Sequence, residues 1–530
     1  MQRIRLRPLA LAILLGAISL FPLAAQARSG PTQDRVVTRP DLNFKVSPAL
    51  LPNSKENTSV IAQNNGTAAA TIAMDVYTPG GVLVPSASKI FTNVPAGGTR
   101  VFPQAINDGL TPGFRGVGVL SSDQPINALL VRDIEGADGT KSYSIHNSYP
   151  TGGSTVLLPF IANGLDGVFN TRFAIANTGN TIACVTVTYA FVPGAGAVGS
   201  GGRSPLTDGG PGGGGCTTGY AVAVGGQVSF APNNVDGAIP MPAGTVNTLM
   251  AATVTSTGST VTIGVDAYRN GQRALASYDG FNVGAPGSTT DDIGTIISIP
   301  LSLKTSDGYY SQILLSNPNS VAANATITYT GNTGTHTVTI AVPANGTANH
   351  GVYSDNVVPV GFVGAARVTS DQPLAAVLFR GKMTTAGSFV DEPLYTAVNG
   401  VPTDRAAATA KFPLVFRRAY KSGGADGYNS WVSVTVADGS TANVTLTTIN
   451  DTTTGAPGCS SPATYTATKA VAGSFIFYQN ADSDNGLNAN PGCLWGGMTI
   501  TSDKPIIAIA NVTNDLNRGD NDGLYNGFGN

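Results

Sequence analysis

Apolar and polar residues alternate along four short segments spread through the chain, residues 71–76, 185–189, 325–329 and 444–447. A period of two places every second side chain on the same face of a strand, so we expect one buried face and one face in water. A loop of Asn, Gly, Asp and Ser precedes each segment, which is typical of a turn. The pattern therefore predicts antiparallel β structure that recurs four times.

A short turn later in each region introduces a second apolar segment. Three copies are nearly identical and one is degenerate: Ser122-Asp123-Gln124-Pro125, Ser370-Asp371-Gln372-Pro373, Ser502-Asp503-Lys504-Pro505 and the divergent Ser256-Thr257-Gly258-Ser259-Thr260. Ser and Asp side chains hydrogen-bond backbone amides one or two residues on, and proline keeps the residue before it extended. We therefore predict a strand directly after each turn.

The spacing of these turns, roughly 115 to 135 residues, indicates the domain organisation. This spacing is too long for one repeat of a solenoid and fits one all-β domain. Counting the segments between turns gives about seven short strands per repeat, the number of an immunoglobulin-like sandwich. We predict an all-β chain with a signal peptide at 1–27 and four tandem β-sandwich repeats at 28–150, 151–290, 291–405 and 406–530.

Composition supports strands and narrows the range of partners. The 66 glycines and 33 prolines interrupt helices, so helix should be minor. Charged residues make up only 11% of the chain, against about a quarter in ordinary soluble domains. The net charge of -2 offers no basic surface, which argues against nucleic acid as a partner. A weakly charged surface rich in Thr favours self-association.

The first 27 residues have the pattern of a secretory signal peptide. Arg3, Arg5 and Arg7 precede an apolar run at residues 9–21, and Ala25-Gln26-Ala27 has the small residues of a cleavage site. The apolar run is shorter than the roughly 20 residues that span a bilayer, so an uncleaved anchor is the weaker interpretation. We expect a mature chain without a transmembrane segment, secreted or held at the cell surface, with the periplasm as the alternative.

The four cysteines agree with export. Cys184 and Cys216 lie in the second predicted repeat, and Cys459 and Cys493 lie in the fourth. Four cysteines allow three pairings, and pairing within each repeat keeps each bridge in one core. We therefore predict two disulfides rather than a metal site.

Catalytic patterns are scarce in the sequence. The three histidines, His146, His336 and His350, fall in segments that we interpret as solvated loops. The chain contains no Gly-x-Ser-x-Gly, no His-Glu-x-x-His and no phosphate-binding loop. We predict that the protein is not an enzyme, and the remaining enzymatic alternative is a secreted hydrolase that uses Asp residues.

Two Asp-rich segments near the C-terminus resemble flexible calcium loops because their oxygen ligands alternate and glycine follows. The candidate ligands are Asp482, Asp484, Asp515, Asp520 and Asp522. The bidentate Glu of a twelve-residue calcium loop is missing, so a solvated loop of Asx-turns is the alternative. We expect no other cofactor.

Four tyrosines in polar segments are candidates for stacking on sugar rings: Tyr309, Tyr310, Tyr420 and Tyr428. They are the basis for a hypothesis of carbohydrate binding.

The recurring landmarks allow a comparison at the level of architecture. The Asn-Gly loops, Pro112-Gly113-Phe114 and the Ser-Asp-Gln-Pro turns resemble those of bacterial secreted proteins built from tandem immunoglobulin-like repeats. That resemblance implies a structural or adhesive role at the cell surface, with cell-envelope components, polysaccharide or other copies of the chain as partners. The alternative function is an extracellular carbohydrate-binding module.

Overall fold

The computed structural model describes residues 34–37, 54–136, 141–148, 152–196, 203–232, 237–269, 274–284, 292–306, 308–382, 395–420, 427–451, 459, 464–479, 493–514, 519–520 and 522–529. These residues form strands connected by turns, with four short 3-10 turns at Pro85–Ala87, Ala243–Thr245, Val352–Ser354 and Thr403–Arg405. The prediction of an all-β chain is confirmed. The predicted signal peptide at 1–27 lies outside the described residues.

The strands of the first half fall into two units. The first unit contains β1 Asp34–Val37, β2 Ser54–Asn64, β3 Ala70–Tyr77, β4 Lys89–Val94, β5 Thr99–Pro103, β6 Val117–Ser122, β7 Ile126–Gly136 and β8 Lys141–Ser148. The second contains β9 Thr155–Leu165, β10 Phe169–Asn177, β11 Ala183–Gly196, β12 Leu206–Asp208, β13 Tyr220–Val222, β14 Gln227–Ala231, β15 Ile239–Pro240, β16 Thr248–Thr257, β17 Val261–Arg269, β18 Ala274–Asp279 and β19 Phe281–Asn282.

The second half repeats the plan. The third unit contains β20 Gly294–Ser306, β21 Tyr309–Asn317, β22 Ala323–Gly331, β23 Gly334–Val342, β24 Gly346–Gly351, β25 Phe362–Lys382, β26 Tyr395–Asn399 and β27 Val401–Pro402. The fourth contains β28 Ala407–Arg417, β29 Tyr428–Val436, β30 Thr441–Asn450, β31 Thr464–Ala472, β32 Ser474–Tyr478, β33 Leu494–Asn514, β34 Gly519–Asp520, β35 Asp522–Asn526 and β36 Phe528–Gly529.

Each unit has two strand layers. One layer, which we call the distal sheet, has the order β1-β6-β3-β4 in the first unit and β20-β25-β22-β23 in the third. The other, the axial sheet, has the order β5-β2-β7-β8 in the first unit, where β34 of the fourth unit extends it beside β8, and β24-β21-β25-β26 in the third. The second and fourth units follow the same plan. Each unit thus has eight main strands rather than the predicted seven, because β1, β9, β20 and β28 add a strand to the distal sheet.

A proline explains why three of these additional strands are difficult to recognise in the sequence. Pro159, Pro300 and Pro413 lie where the pairing register of β9, β20 and β28 shifts. A bulge tolerates proline because the residue there does not need to donate a ladder hydrogen bond. A side chain of the neighbouring strand supports the bend, since Thr171 Oγ1 accepts a hydrogen bond from the Ala162 amide at 2.9 Å.

The Ser-Asp-Gln-Pro turn is the point where the chain passes from the distal to the axial sheet. A strand follows it, as predicted, and in β25 and β33 one strand of 21 residues runs through it. Ser370 Oγ accepts a hydrogen bond from the Gln372 amide at 3.3 Å, a local bond of the expected kind. Asp371 instead accepts a bond from the Asn324 amide at 2.8 Å, which fastens the turn to the neighbouring strand β22.

The apolar cores are continuous across three of the four boundaries between units. Leu314, Val377 and Phe379 of the third unit are buried in the core of the second. In the same way Leu524 of the fourth unit joins the core of the third, and Leu129 of the first joins the core of the fourth. The four units therefore do not have four separate interiors. The axial sheets of the first, third and fourth units each cover two cores, whereas that of the second has buried polar side chains such as Asp266 and Asp279 on its other face.

These contacts close the four units into a ring. The strands β8, β18, β26 and β35, one from each unit, lie side by side around a common axis. Tyr143, Leu275, Thr396 and Leu524 are among the residues that line the space between them, which is too narrow for a water molecule. Head-to-tail contacts of this kind form a closed ring when the rotation between units closes.

Among the described residues, no helix is both long and apolar enough to span a membrane.

Candidate functional site

A ring of amide and carboxylate side chains links the four units at the axis. Asn147, Asp279, Asn399 and Asn526 occupy matching positions near the ends of the four axial strands. Hydrogen bonds join the residues of neighbouring units in this ring. The Asp279 amide donates to Asn399 Oδ1 at 3.0 Å, and Asn399 Nδ2 donates to the Asp279 carbonyl at 2.8 Å. Asn526 Nδ2 donates to the Asn399 carbonyl at 2.9 Å, and Asn147 Nδ2 donates to the Asn526 carbonyl at 2.8 Å.

Glycine lets the ends of the axial strands lie close to the first distal strand of their own unit. Glycine follows the amide or carboxylate in three units, at Gly280, Gly400 and Gly527. A Cβ at Gly400 would lie 2.8 Å from Ile297 Cγ2, and one at Gly527 would lie 2.6 Å from Phe412 Cζ. The short motif Asn/Asp-Gly thus lies at the end of the axial strand in these three units, and sequence reasoning did not identify it.

The first and second units meet through buried charges. Arg132 and His146 of the first unit are 1% and 3% exposed and face Asp266 and Asp279 of the second. Arg132 forms an ion pair with Asp266, and its Nη1 lies 3.9 Å from Glu56 Oε2. His146 Nε2 lies 3.1 Å from Asp266 Oδ1, and Nδ1 lies 3.1 Å from Asp279 Oδ1. We call these five residues the inter-unit charge cluster.

The location of His146 corrects the sequence analysis, which assigned it to a solvated loop. It lies in β8, and Ile145 on the opposite face packs into the core of the fourth unit. Ionised carboxylates only accept hydrogen bonds, so both bonds of His146 form together when both ring nitrogens carry hydrogen. Both ring nitrogens of His146 thus face carboxylate oxygens of the second unit.

The charge state of Asp266 follows from its surroundings. Burial would raise the pKa of this carboxyl, but the Arg132 guanidinium and the hydrogen bond from His146 outweigh it and hold the pKa well below its usual range. Ser277 Oγ adds a bond to Asp266 Oδ1 at 2.8 Å. The carboxylate is thus ionised and saturated with donors.

The cluster contains Ser, His and Asp but does not have the arrangement of a hydrolytic triad. In a triad, one histidine nitrogen takes the proton of the serine while the other donates to a carboxylate. Both nitrogens of His146 face carboxylates, and Ser277 donates to Asp266. No nitrogen is left to act as a general base, so the cluster serves as a joint between units.

A second buried pair joins the third and fourth units. Arg380 Nη2 lies 2.7 Å from Asp522 Oδ2, and Asn511 Nδ2 donates to Asp522 Oδ1 at 3.0 Å. The Arg380 guanidinium also lies over the rings of Tyr309 and Trp431, at 5.1 and 5.3 Å from their centroids.

This contact bears on the predicted calcium ligands. Asp522 is 2% exposed and already has a cationic partner in Arg380. Asp482, Asp484 and Asp515 lie outside the described residues, as does the side chain of Asp520. Within the described part of the chain, three or more His, Cys, Asp or Glu side chains nowhere come together as a metal site. Calcium binding stays a prediction.

The four candidate sugar-binding tyrosines differ in their exposure. Tyr420 is 44% exposed, and its ring packs edge-on against Tyr428 with centroids 5.9 Å apart. Tyr309 is partly buried, and Tyr310 is buried against Tyr353. Of the two tyrosine pairs, Tyr420 and Tyr428 thus have their rings in contact and one ring exposed to solvent.

Both predicted disulfide pairings are present. Cys184 bonds Cys216, and Cys459 bonds Cys493. Each bridge lies within one unit and closes a segment beside an edge of a distal sheet.

Threonine pairs lie on the exposed faces of the distal sheets of the second and fourth units. In the fourth unit, Thr445 lies opposite Thr468 and Thr447 opposite Thr466, with hydroxyl oxygens 2.8 and 3.3 Å apart. The second unit has a similar pair in Thr186 and Thr255, at 2.6 Å. Such pairs stabilise sheets and leave a neutral surface of methyl and hydroxyl groups.

A cleft of about 140 Å³ lies between the third and fourth units. Its lining includes Thr328, Thr330 and Thr435, and Arg367 Nη1 donates to the Ala437 carbonyl at 2.6 Å across the boundary. The lining of the cleft is more apolar than polar.

Comparison with known proteins adds little to this description. No family model matches the chain, and no curated protein is similar to it. Matches to solved structures extend to nine chains. One is described as the crystal structure of a tetra-tandem repeat in the extending region of a large adhesion protein, with 14% identity over 93% of this chain and 98% of that chain. The TM-score of that match is 0.10, so it carries no argument about this chain.

Proposed function

We propose that the protein is a non-enzymatic structural or adhesive protein of the cell surface, in which four β-sandwich units form one rigid body. The observation that carries this proposal is how the polar residues are used. The boundary between the first and second units buries the charged side chains of Arg132, His146 and Asp266, whereas neutral threonine side chains face the solvent. Chemically active groups thus stabilise the ring rather than line an open cleft.

Rigidity supports this role. Every unit shares its core with a neighbour or is joined to it by buried charges, so bending between units would expose apolar surface. Two disulfides further resist unfolding outside the cell, where chaperones are scarce. A neutral outer surface suits contact with other neutral, hydroxyl-rich polymers of an envelope.

The test is the location and state of the native protein. We expect fractionation of the producing cells, followed by immunoblotting, to find a chain shorter by about 27 residues in the envelope or medium, with all four cysteines oxidised. Protease added to intact cells should cleave an envelope-held form. A full-length, reduced protein in the cytoplasm would overturn the proposal.

Carbohydrate binding is the second candidate, because Tyr420 presents an exposed ring beside Tyr428. A glycan array with the purified chain tests it. Tyr420→Ala should abolish any specific signal, whereas Tyr478→Ala, which removes a ring of similar exposure at 43%, should not. An equal loss of glycan-array signal in both variants would indicate nonspecific binding.

We also propose that the Asp-rich segments bind calcium weakly. Titration calorimetry with CaCl₂ should show heat that is lost in the combined variant Asp482→Asn and Asp484→Asn. An unchanged heat in that variant would exclude these two ligands.

A further inference from the structure

The edge strands of the four distal sheets differ in how they are protected. In the first unit the edge strand β4 is six residues long and carries Lys89. In the second unit the edge is split into β12 and β13, three residues each. In the fourth unit β31 carries Lys469. Short length, interruptions and lysine are the usual means by which proteins prevent edge-to-edge pairing.

Strand β23 of the third unit lacks all of these protections. It has nine residues, Gly334-Thr335-His336-Thr337-Val338-Thr339-Ile340-Ala341-Val342, with no Lys, Arg, Asp, Glu or Pro. It pairs along its whole length with β22 on one side, and within the described residues no strand pairs with its other side. It therefore offers a row of backbone donors and acceptors.

The side chains of β23 are suited to meeting a copy of themselves. Threonines alternate at 335, 337 and 339 on the exposed face, while Val338 and Ile340 lie partly buried against the core of the third unit. In an antiparallel pair centred on Thr337, that residue would face its own copy and Thr335 would face Thr339. The chain already uses cross-strand Thr–Thr pairs in its own sheets, as at Thr445 and Thr468.

We propose that β23 is a homodimerisation edge, on which the β23 strand of a second copy pairs antiparallel about Thr337. Two four-stranded distal sheets then become one continuous sheet of eight strands across the two-fold axis. The low net charge of the chain, -2, leaves little repulsion between the copies. This inference goes beyond the proposed surface role, which a monomer could equally fill.

The test compares two lysine substitutions by analytical ultracentrifugation of the full mature chain. Thr337→Lys places two ammonium groups against each other at the axis and should raise the dimer dissociation constant at least about tenfold. Thr501→Lys is the matched control, since Thr501 is equally exposed but lies on β33, which has partners on both sides. It should leave the dimer unchanged.

A second variant keeps the test independent of folding defects. Thr337→Cys places two thiols opposite each other across the axis, so mild oxidation should give a disulfide-linked dimer, whereas Thr501→Cys should not. Circular dichroism confirms that each variant is folded. A wild-type chain that stays monomeric at high concentration, or a dimer that Thr337→Lys does not weaken, would overturn the proposal.

Discussion

Replacing Arg132 by Met should destabilise the joint between the first and second units strongly. The side chain is 1% exposed, forms an ion pair with Asp266 and approaches Glu56. Met matches the length of the arginine stem but carries no charge, so the Asp266 carboxylate would stay buried without its principal cation. Removing one partner of a buried ion pair costs about 3–5 kcal/mol.

The loss should be recovered by removing the charge on the other side. In the double variant Arg132→Met and Asp266→Leu, two apolar side chains of similar volume replace the pair, and substitutions of this kind are nearly neutral in free energy or better. The residual cost should arise from His146, which keeps Asp279 but loses the acceptor for its Nε2, and from buried Glu56, which loses the nearby Arg132 guanidinium. We therefore expect a coupling energy of a few kcal/mol between positions 132 and 266.

Thermal unfolding at pH 7 measures these effects. If two units melt together, a loss of 3–5 kcal/mol lowers the midpoint by roughly 6–20 °C. Arg203→Met is the control, because Arg203 is exposed and donates one hydrogen bond, to the Gly244 carbonyl. If Arg132→Met melts within about 1 °C of Arg203→Met, the buried pair does not stabilise the joint as we argue.

Three other changes test separate parts of the fold. The pKa of Asp266 is lower in the folded than in the unfolded chain, so its ionised carboxylate stabilises the fold above about pH 4, and this stabilisation is lost as the pH falls. Asp266→Asn should therefore make the melting temperature less dependent on pH in the acid range. Equal pH dependence in the wild type and the variant would contradict this. Replacing Cys184 and Cys216 by Ala opens a loop of 32 residues and should cost about 3–4 kcal/mol in urea unfolding, and an unchanged midpoint would show that the bridge is dispensable. Asn399→Ala leaves the amide and carbonyl of Asp279 without their partner and should cost about 1–3 kcal/mol, with faster hydrogen exchange at that amide; unaltered exchange would exclude the axial role.

The sequence could predict those features that depend on neighbouring residues. The alternation in β22 and β30 marked a half-buried strand, and Ser370 makes the local bond that its place in the turn suggests. The cysteine pairing could be predicted because both cysteines of each disulfide lie within the same unit. In each case the physical cause acts over a few residues or within one repeat.

Contacts between repeats were not visible in the same way. His146 stands in a polar stretch, Ser144 to Ser148, that has the composition of a linker, yet it lies on the axis because three other units surround it. Phe379 likewise follows an apolar pattern that fits the core of its own unit, whereas it packs into the second. Burial of this kind is decided by the arrangement of whole units, which periodicity along one strand does not encode.

The placement of charges also favours one arrangement of the four similar units around the ring. Arg132 and Arg380 each lie seven residues after the proline of their turn. Each forms an ion pair with an aspartate of the following unit: Arg132 with Asp266, and Arg380 with Asp522. The register of the axial strands puts Phe379 where the second unit has Asp266. If the first unit packed against the third instead, Arg132 would be buried against that phenylalanine without a carboxylate, at a cost of several kcal/mol. The two buried ion pairs therefore add to the hydrogen bonds of the axial ring in favouring the native order of the units.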